Sequence, residues 1–328
     1  MRRRDFVWTG TLAALSACAK KPAGGLTAIE FAVGPYPTSA IVYLAVERGY
    51  FRDAGFDVHP RVVSGGAQMS AAVAEGRVDA ALHYAAPSLF NAVTRGARVR
   101  LVMGREVVTS SCGDAAAIYT RNKAFPNGTS DIRQWEGKRF ATSTRASMGE
   151  FFLDTILARA GLDPKKTPRT YLEHAPAVAA MISGRLDALL NGTSLPIAVD
   201  GHPEIGREDA GARAIEPLQY SYICFGSRLL GTGTAMGARL LAAYLRASKD
   251  FLAGVTPQFL KDYAASSGLN AGALEGCRTT FTADGTLDMK SLKIALDWGI
   301  ARGLTDANAT AESLADQRCL ELARREAV

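Results

Sequence analysis

The segment Ala71 to Leu82, AAVAEGRVDAAL, returns 108 residues later as Ala179 to Leu190, AAMISGRLDALL, with the same residue at seven of twelve positions. The correspondence extends upstream, where Ala54-Gly55-Phe56-Asp57 answers Ala160-Gly161-Leu162-Asp163, and downstream, where Pro87 answers Pro196. A chain duplicated in this way is expected to fold as two similar lobes, and two lobes leave a cleft between them.

Each copy reads as an alanine-rich helix, a Gly-Arg pair, an aliphatic residue, Asp and a short apolar strand. Gly76 and Gly184 are the expected helix stops, because glycine enters the left-handed region without a Cβ penalty. Val78 to Leu82 and Leu186 to Leu190 then read as buried strands. His83-Tyr84-Ala85-Ala86 follows the first strand and Asn191-Gly192-Thr193-Ser194 the second. Ligands of open α/β sheets sit beyond the carboxyl ends of strands, so these segments are either cleft wall or ordinary turns.

The N-terminus points to export. Arg3-Arg4-Asp5-Phe6-Val7 precedes an apolar run that ends in Leu15-Ser16-Ala17-Cys18, which is the pattern of a signal segment excluded from the fold. The paired arginines suggest the Tat route, with Sec the alternative. Leu15-Ser16-Ala17-Cys18 resembles a bacterial lipobox, which makes Cys18 the candidate lipidated residue and Ala19 to Gly25 a tether. Plain cleavage near Ala17 and an uncleaved helical anchor are the other readings. The expected location is the periplasm or cell surface, with the chain held to the membrane by lipid.

Removing residues 1–17 takes away three arginines and one aspartate, so the formal charge falls from +6 to +4. No dense Lys/Arg stripe interleaved with aromatics appears, so nucleic acid is not an expected partner. Besides Cys18, the cysteines are Cys112, Cys224, Cys277 and Cys319, and none lies at C-x2-C zinc spacing. Free buried thiols are favoured, with a Cys277–Cys319 bridge the alternative. The four histidines, His59, His83, His174 and His202, show no H-x-x-x-H or H-E-x-x-H spacing, and G-x-S-x-G is absent. No enzyme activity, metal or cofactor is expected.

About 310 residues exceed one comfortable core and suit two domains. Strand-like and helical runs alternate. The first lobe is expected to hold a strand at 26–33, one helix over 39–54, a strand at 56–63, a helix at 68–75 and a strand at 99–103. The second is expected to hold strands at 139–142 and 168–172, helices at 147–160 and 175–182, and the repeat strand. A further strand at 219–227 and a helical tail, including one helix over 311–325, return to the first lobe. The expected division is 1–17 signal, 18–25 tether, 26–115 with 218–328 as a discontinuous lobe I, and 116–217 as lobe II. The order of elements argues mostly parallel sheets.

Glu47-Arg48-Gly49-Tyr50-Phe51-Arg52-Asp53-Ala54-Gly55-Phe56-Asp57-Val58 resembles the early-helix signature of the SsuA/THI5-like, or NMT1-like, solute-binding proteins of ABC importers. The Gly-Arg-x-Asp-Ala segments, Glu136-Gly137-Lys138-Arg139-Phe140 and Phe281-Thr282-Ala283-Asp284-Gly285-Thr286-Leu287-Asp288 are similar to that family as well. Together they cover nearly the whole mature chain. The resemblance implies the α/β type II periplasmic-binding fold, two lobes joined by a hinge. It also implies a monomer that hands a small-molecule solute to an ABC permease. The family's enzyme branch carries a cysteine-rich cluster that this chain lacks. A sensor subunit of a signalling system would share the same fold.

For the site, Thr142-Ser143-Thr144-Arg145-Ala146-Ser147-Met148-Gly149 matches the family's binding segment. A polar turn at a helix N-terminus offers free amides and a positive dipole end to an anion. Ser143, Thr144 and Ser147 add hydroxyls and Arg145 a charge-assisted contact, and Met148 belongs to the same candidate segment. Ser147 equally reads as a helix cap. Opposite it stand Tyr36, Pro37 and Thr38 after the first strand, Ser64, Gly65 and Gly66 after the second, and Tyr84 after the third; Asn191 and Gly192 complete the far wall. Tyr36 and Tyr84 could stack on a flat group. A small organic anion such as a sulfonate or carboxylate is the expected solute, with a heteroaromatic vitamin precursor of the thiamine-pyrimidine type the alternative.

Overall fold

The computed structural model describes residues 25–110, 116–172, 174–190, 202–231, 234–267 and 277–326. Cys18, Cys112, Asn191 and Gly192 lie outside the described residues, as do all of residues 1–24.

Two five-stranded sheets form the frame. The first takes β1 (Thr27–Val33), β2 (Phe56–Val62), β3 (Ala80–Tyr84), β4 (Arg100–Val108) and β10 (Leu218–Phe225) in the order β2-β1-β3-β10-β4. The second takes β5 (Ile118–Arg121), β6 (Phe140–Thr142), β7 (Arg169–Tyr171), β8 (Ala188–Leu190) and β9 (Ile205–Glu208) in the order β7-β6-β8-β5-β9. The two orders superpose, with β2, β1, β3 answering β7, β6, β8. Each sheet is mixed. β1 runs parallel to β2 and β3, and β6 parallel to β7 and β8, whereas β10 and β5 are antiparallel to both of their neighbours. β5 and β10 are the strands by which the chain enters the second sheet and returns to the first, so they arrive from the opposite end.

The helices α1 (Ala40–Glu47), α2 (Tyr50–Asp53), α3 (Gly66–Ala74), α4 (Pro87–Thr94), α5 (Met148–Arg159), α6 (His174–Ile182) and α7 (Ala210–Ile215) connect the strands. After β10 come α8 (Ser227–Gly231), α9 (Thr234–Leu252), α10 (Gln258–Ser267), α11 (Met289–Ala301), α12 (Ala311–Leu314) and α13 (Arg318–Glu326). The helix expected over 39–54 is broken at Gly49, whose φ of 73° is left-handed. That over 311–325 is two helices, separated at Ala315, which pairs with Leu101 as an isolated bridge. Strand β4 extends five residues beyond the expected end because the charged Arg105 and Glu106 continue it while buried.

The first sheet buries both faces, as its alternation shows. Ile29, Phe31, Val33, Leu82, Ile223 and Phe225 face a core shared with α1, α9 and α13. Ala32, Ala81, Tyr222 and Cys224 face the other, which takes in α3, α4 and α11. That second core is continuous with Phe151, Phe152 and Ile156 of α5, so the two lobes share apolar packing. Burying one phenylalanine removes enough apolar surface to stabilise by about 1.5–3 kcal/mol. Cys224 and Cys319 are free and buried, which sets aside the Cys277–Cys319 bridge.

The duplicated segment has a shared structural task. Gly76 and Gly184 hold φ of 71° and 75° after α3 and α6, as a left-handed helix stop requires. Three residues on, Asp79 and Asp187 each turn a carboxylate to a backbone amide of the neighbouring parallel strand, in mid-β1 for Asp79 and just ahead of β6 for Asp187. Asp79 Oδ2 accepts the Glu30 amide at 2.9 Å, and Asp187 Oδ2 the Arg139 amide at 2.9 Å. Arg228 pairs with Asp79 at 3.0 Å, and Arg139 returns to Asp187 through Nε at 2.9 Å and Nη2 at 2.7 Å. The hydrogen bond from Arg139 holds the Asp187 carboxyl below the usual range, outweighing partial burial. The Gly-Arg-x-Asp-Ala repeat is thus a sheet-stitching device, with no ligand needed to account for its aspartate.

Candidate functional site

Three loops at the carboxyl ends of β1, β2 and β3 meet on the first lobe. After β1 the chain turns through Gly34, Pro35 and Tyr36 into a single 3-10 turn, Pro37–Ser39, and Ser39 Oγ donates to the Gly34 carbonyl at 2.8 Å. A Cβ at Gly34 would stand 2.7 Å from the Tyr36 ring, so glycine is what lets that ring fold back over the loop. After β2, Gly65 takes φ of 89° and α3 begins at Gly66, which approaches the Ala86 side chain of the third loop. Tyr84 ends β3, is half-buried, and shares a side-chain hydrogen bond with Thr38. Tyr36, Pro37, Thr38 and Tyr84 are therefore one half-buried wall. Ser64 and Gly65 are exposed beside it.

Beneath this wall lies a polar layer that sequence reading missed. Tyr84 stacks on Tyr220 of β10, with centroids 6.1 Å apart and planes at 13°. The Tyr220 hydroxyl reaches Glu106 Oε1 at 3.4 Å. Arg105, 2% exposed, donates to Tyr244 Oη at 2.9 Å, to Ser221 Oγ at 2.8 Å and to the Thr38 carbonyl. Its Nη1 stands 3.4 Å from Glu106 Oε2, an oxygen that makes no hydrogen bond. Burial pushes the Glu106 carboxyl upward, and the attraction of Arg105 offsets this only in part. Burial also opposes the charge on Arg105, yet Tyr244 and Glu106 outweigh it and the guanidinium stays firmly protonated. Burial and the nearby Glu106 charge together raise Tyr84, so its hydroxyl remains a neutral donor. One signal was available: Arg105-Glu106 interrupts an otherwise apolar strand run, a pattern that survives burial only as a pair.

His83, alternate to Tyr84 on β3, is buried against Ser70 of α3, with Nε2 2.8 Å from Ser70 Oγ. Burial lowers its pKa, despite the Tyr84 carbonyl at Nδ1. It supports the loop from behind.

The second lobe contributes the β6–α5 turn. Ser143 is half-buried, while Thr144 and Arg145 are exposed. Ala146 adopts φ of 60°, uncommon for a residue with a Cβ. Ser147 caps α5, accepting the Glu150 amide at 3.3 Å, and Met148 packs half-buried on the shared core. The fully buried Glu150 turns back and accepts the Ala146 amide through Oε2 at 2.7 Å. The positive end of this helix already faces a carboxylate of its own chain. Burial would raise that carboxyl, but the Ala146 amide, the Tyr171 hydroxyl, Arg302 and Arg169 outweigh it and leave it lowered.

Among the described residues no group of three or more His, Cys, Asp or Glu side chains is placed to hold a metal. No described helix is long and apolar enough to cross a membrane.

The family model described as NMT1/THI5 like matches residues 36–251. No curated protein matches significantly. Among solved structures, the periplasmic aliphatic sulphonate-binding protein SsuA from Escherichia coli superposes with a TM-score of 0.70 at 16% identity, covering 90% of this chain and 99% of that one. The alkanesulfonate-binding protein SsuA from Xanthomonas axonopodis pv. citri, bound to MOPS, gives 0.65 at 17% identity, covering 90% and 100%. The periplasmic nitrate-binding protein NrtA from Synechocystis PCC 6803 gives 0.67 at 11% identity, covering 92% and 89%. At these identities the likeness establishes the fold, the two-lobed architecture of periplasmic binding proteins.

Proposed function

Because this chain belongs to the NMT1/THI5-like family, we propose that it is the extracytoplasmic solute-binding component of an ABC importer, anchored through Cys18 and delivering its solute to a membrane permease. The solute lies between the Tyr36–Thr38 and Tyr84 wall of the first lobe and the Ser143–Met148 turn of the second, with Ser64, Gly65 and Gly66 at its rim. It is bound and returned unchanged; no catalytic role is assigned to any residue.

The observation that carries the reading is the joined wall of Tyr36, Thr38 and Tyr84 at the strand ends, backed by Tyr220 and the buried Arg105–Glu106 pair. Neutral tyrosines over a buried acid suit a flat heteroaromatic solute with hydrogen-bonding edges. A small organic anion is the second reading, favoured by the exposed Arg145 beside Ser143 and Thr144. The amide of Ala146, however, is engaged by Glu150, which leaves the turn less free to receive an external negative charge.

A thermal-shift screen of the mature chain against pyrimidine and flavin vitamins, sulfonates, carboxylates and nitrate tests the proposal. A solute at a hundred times its Kd adds about 2.7 kcal/mol and raises Tm. Hits among heteroaromatics support the tyrosine wall; hits confined to anions move recognition to Arg145.

A further inference from the structure

The turn that forms the second lobe's wall is tied to the first lobe through one carboxylate. Glu150 Oε2 holds the Ala146 amide, while Glu150 Oε1 accepts Arg302 Nη2 at 2.8 Å and the Tyr171 hydroxyl at 2.8 Å. Arg302 caps α11, a helix packed on β10 of the first lobe. One turn along α5, Asp154 repeats the arrangement. Its Oδ2 accepts Trp298 Nε1 at 2.8 Å and lies 3.4 Å from Arg302 Nε, while Oδ1 accepts Arg169 Nη1 at 2.6 Å. Apolar contacts flank these polar ones, with Phe151 against Trp298 at 5.3 Å and Phe152 edge-on to Tyr220 at 5.5 Å.

We infer that Arg302 and Trp298 of the first lobe act as positioning residues for the Ser143–Ser147 turn of the second, with Glu150 as the shared link between lobe docking and turn order. The inference rests on reading this turn as solute wall, but the link itself is made entirely of this chain's own residues. The physical case follows from what Glu150 must satisfy. A buried carboxylate requires its lone pairs to be met, and bonds to charged donors are the strong ones. With Arg302 in place, Oε1 is held by donors and Oε2 is aimed at the amide of Ala146, whose backbone is left-handed. If Arg302 withdraws as the lobes part, Glu150 keeps Tyr171 and Arg169 and is free to rotate toward them. By linkage, anything that orders the turn, a bound solute included, then favours the docked lobes, and docking favours the solute equally.

The test needs no ligand. Amide exchange at Ala146 is measured in the full chain as wild type, R302M and W298F. W298F keeps the ring on Phe151 while deleting the donor to Asp154. The expected result is an acceleration at Ala146 of about tenfold in R302M and a smaller one in W298F, with the α9 interior amides unchanged. A merely local structural role for Arg302 would leave Ala146 within about twofold of wild type in both variants while lowering Tm, and that result overturns the inference. Should R302M not fold, W298F alone decides it by the same criterion. Failure here leaves the solute-binding proposal standing, and failure of every solute to bind leaves this coupling standing.

Discussion

Replacing Arg105 by methionine removes a cation that is 2% exposed and leaves Glu106, 1% exposed, without its counter-charge. Three acceptors also lose their donor: Tyr244 Oη, Ser221 Oγ and the Thr38 carbonyl. Breaking a buried pair from one side costs about 3–5 kcal/mol, because the remaining charge stays desolvated. With a urea m-value of about 3 kcal/mol/M for a chain of this size, R105M should unfold more than about 1 M earlier than wild type. The double variant R105M/E106Q has no buried charge and should regain at least about 1 kcal/mol over R105M, a coupling that a double-mutant cycle isolates. The pH dependence fixes the sign independently. Burial raises the Glu106 carboxyl above its unfolded value even with Arg105 present. Such a group contributes stability that is complete below the unfolded pKa and is lost as pH rises through the folded one. Without Arg105 that loss deepens, so the deficit of R105M should shrink as pH falls from 7 toward 5. Urea unfolding at three pH values measures all of this. A pH-independent deficit and additive cycle energies would refute the claim that Arg105 and Glu106 are coupled as a desolvated pair beneath the tyrosine wall.

D79N and D187N should each lower stability by about 1–3 kcal/mol, measured by thermal unfolding, since each carboxylate holds a backbone amide of the neighbouring parallel strand and a guanidinium. F152A should cost about 3–5 kcal/mol by urea unfolding, because the ring is fully buried where the two lobes share a core. His83 has a folded pKa below its unfolded value of about 6.5. Its contribution is complete above that pH and declines as pH falls, by at most about 1.4 kcal/mol per unit. H83Q should therefore show a flatter loss of Tm between pH 7 and 5 than wild type.

The duplication made the two-lobed plan legible, because the Gly-Arg-x-Asp-Ala copies sit at equivalent places in both sheets. Helix and strand positions followed from periodicity and glycine stops, and fell short where tertiary contacts decide. Gly49 read as interior to a helix because the residues on both sides are apolar-periodic, yet its left-handed φ starts α2 anew. Strand β4 read as ending at Met103 because charges follow; the partners that bury those charges, Tyr244, Ser221 and Thr38, are distant in sequence. Tyr36, Thr38 and Tyr84 were legible as loop residues at strand ends. Tyr220, Arg302 and Trp298 were not, since they come from the returning strand and the tail. Glu150 was hidden inside an ordinary capping pattern, Ser147 followed three residues later by a glutamate.

The central claim is stoichiometric, reversible capture of a small solute without chemistry. Native mass spectrometry of the mature chain, incubated with the solute panel and then denatured to release what was kept, tests it most directly. The account predicts one solute per chain, released at unchanged mass and lost from a Y36A/Y84A variant that still folds. A released product of altered mass, or retention undiminished in that variant, would contradict it.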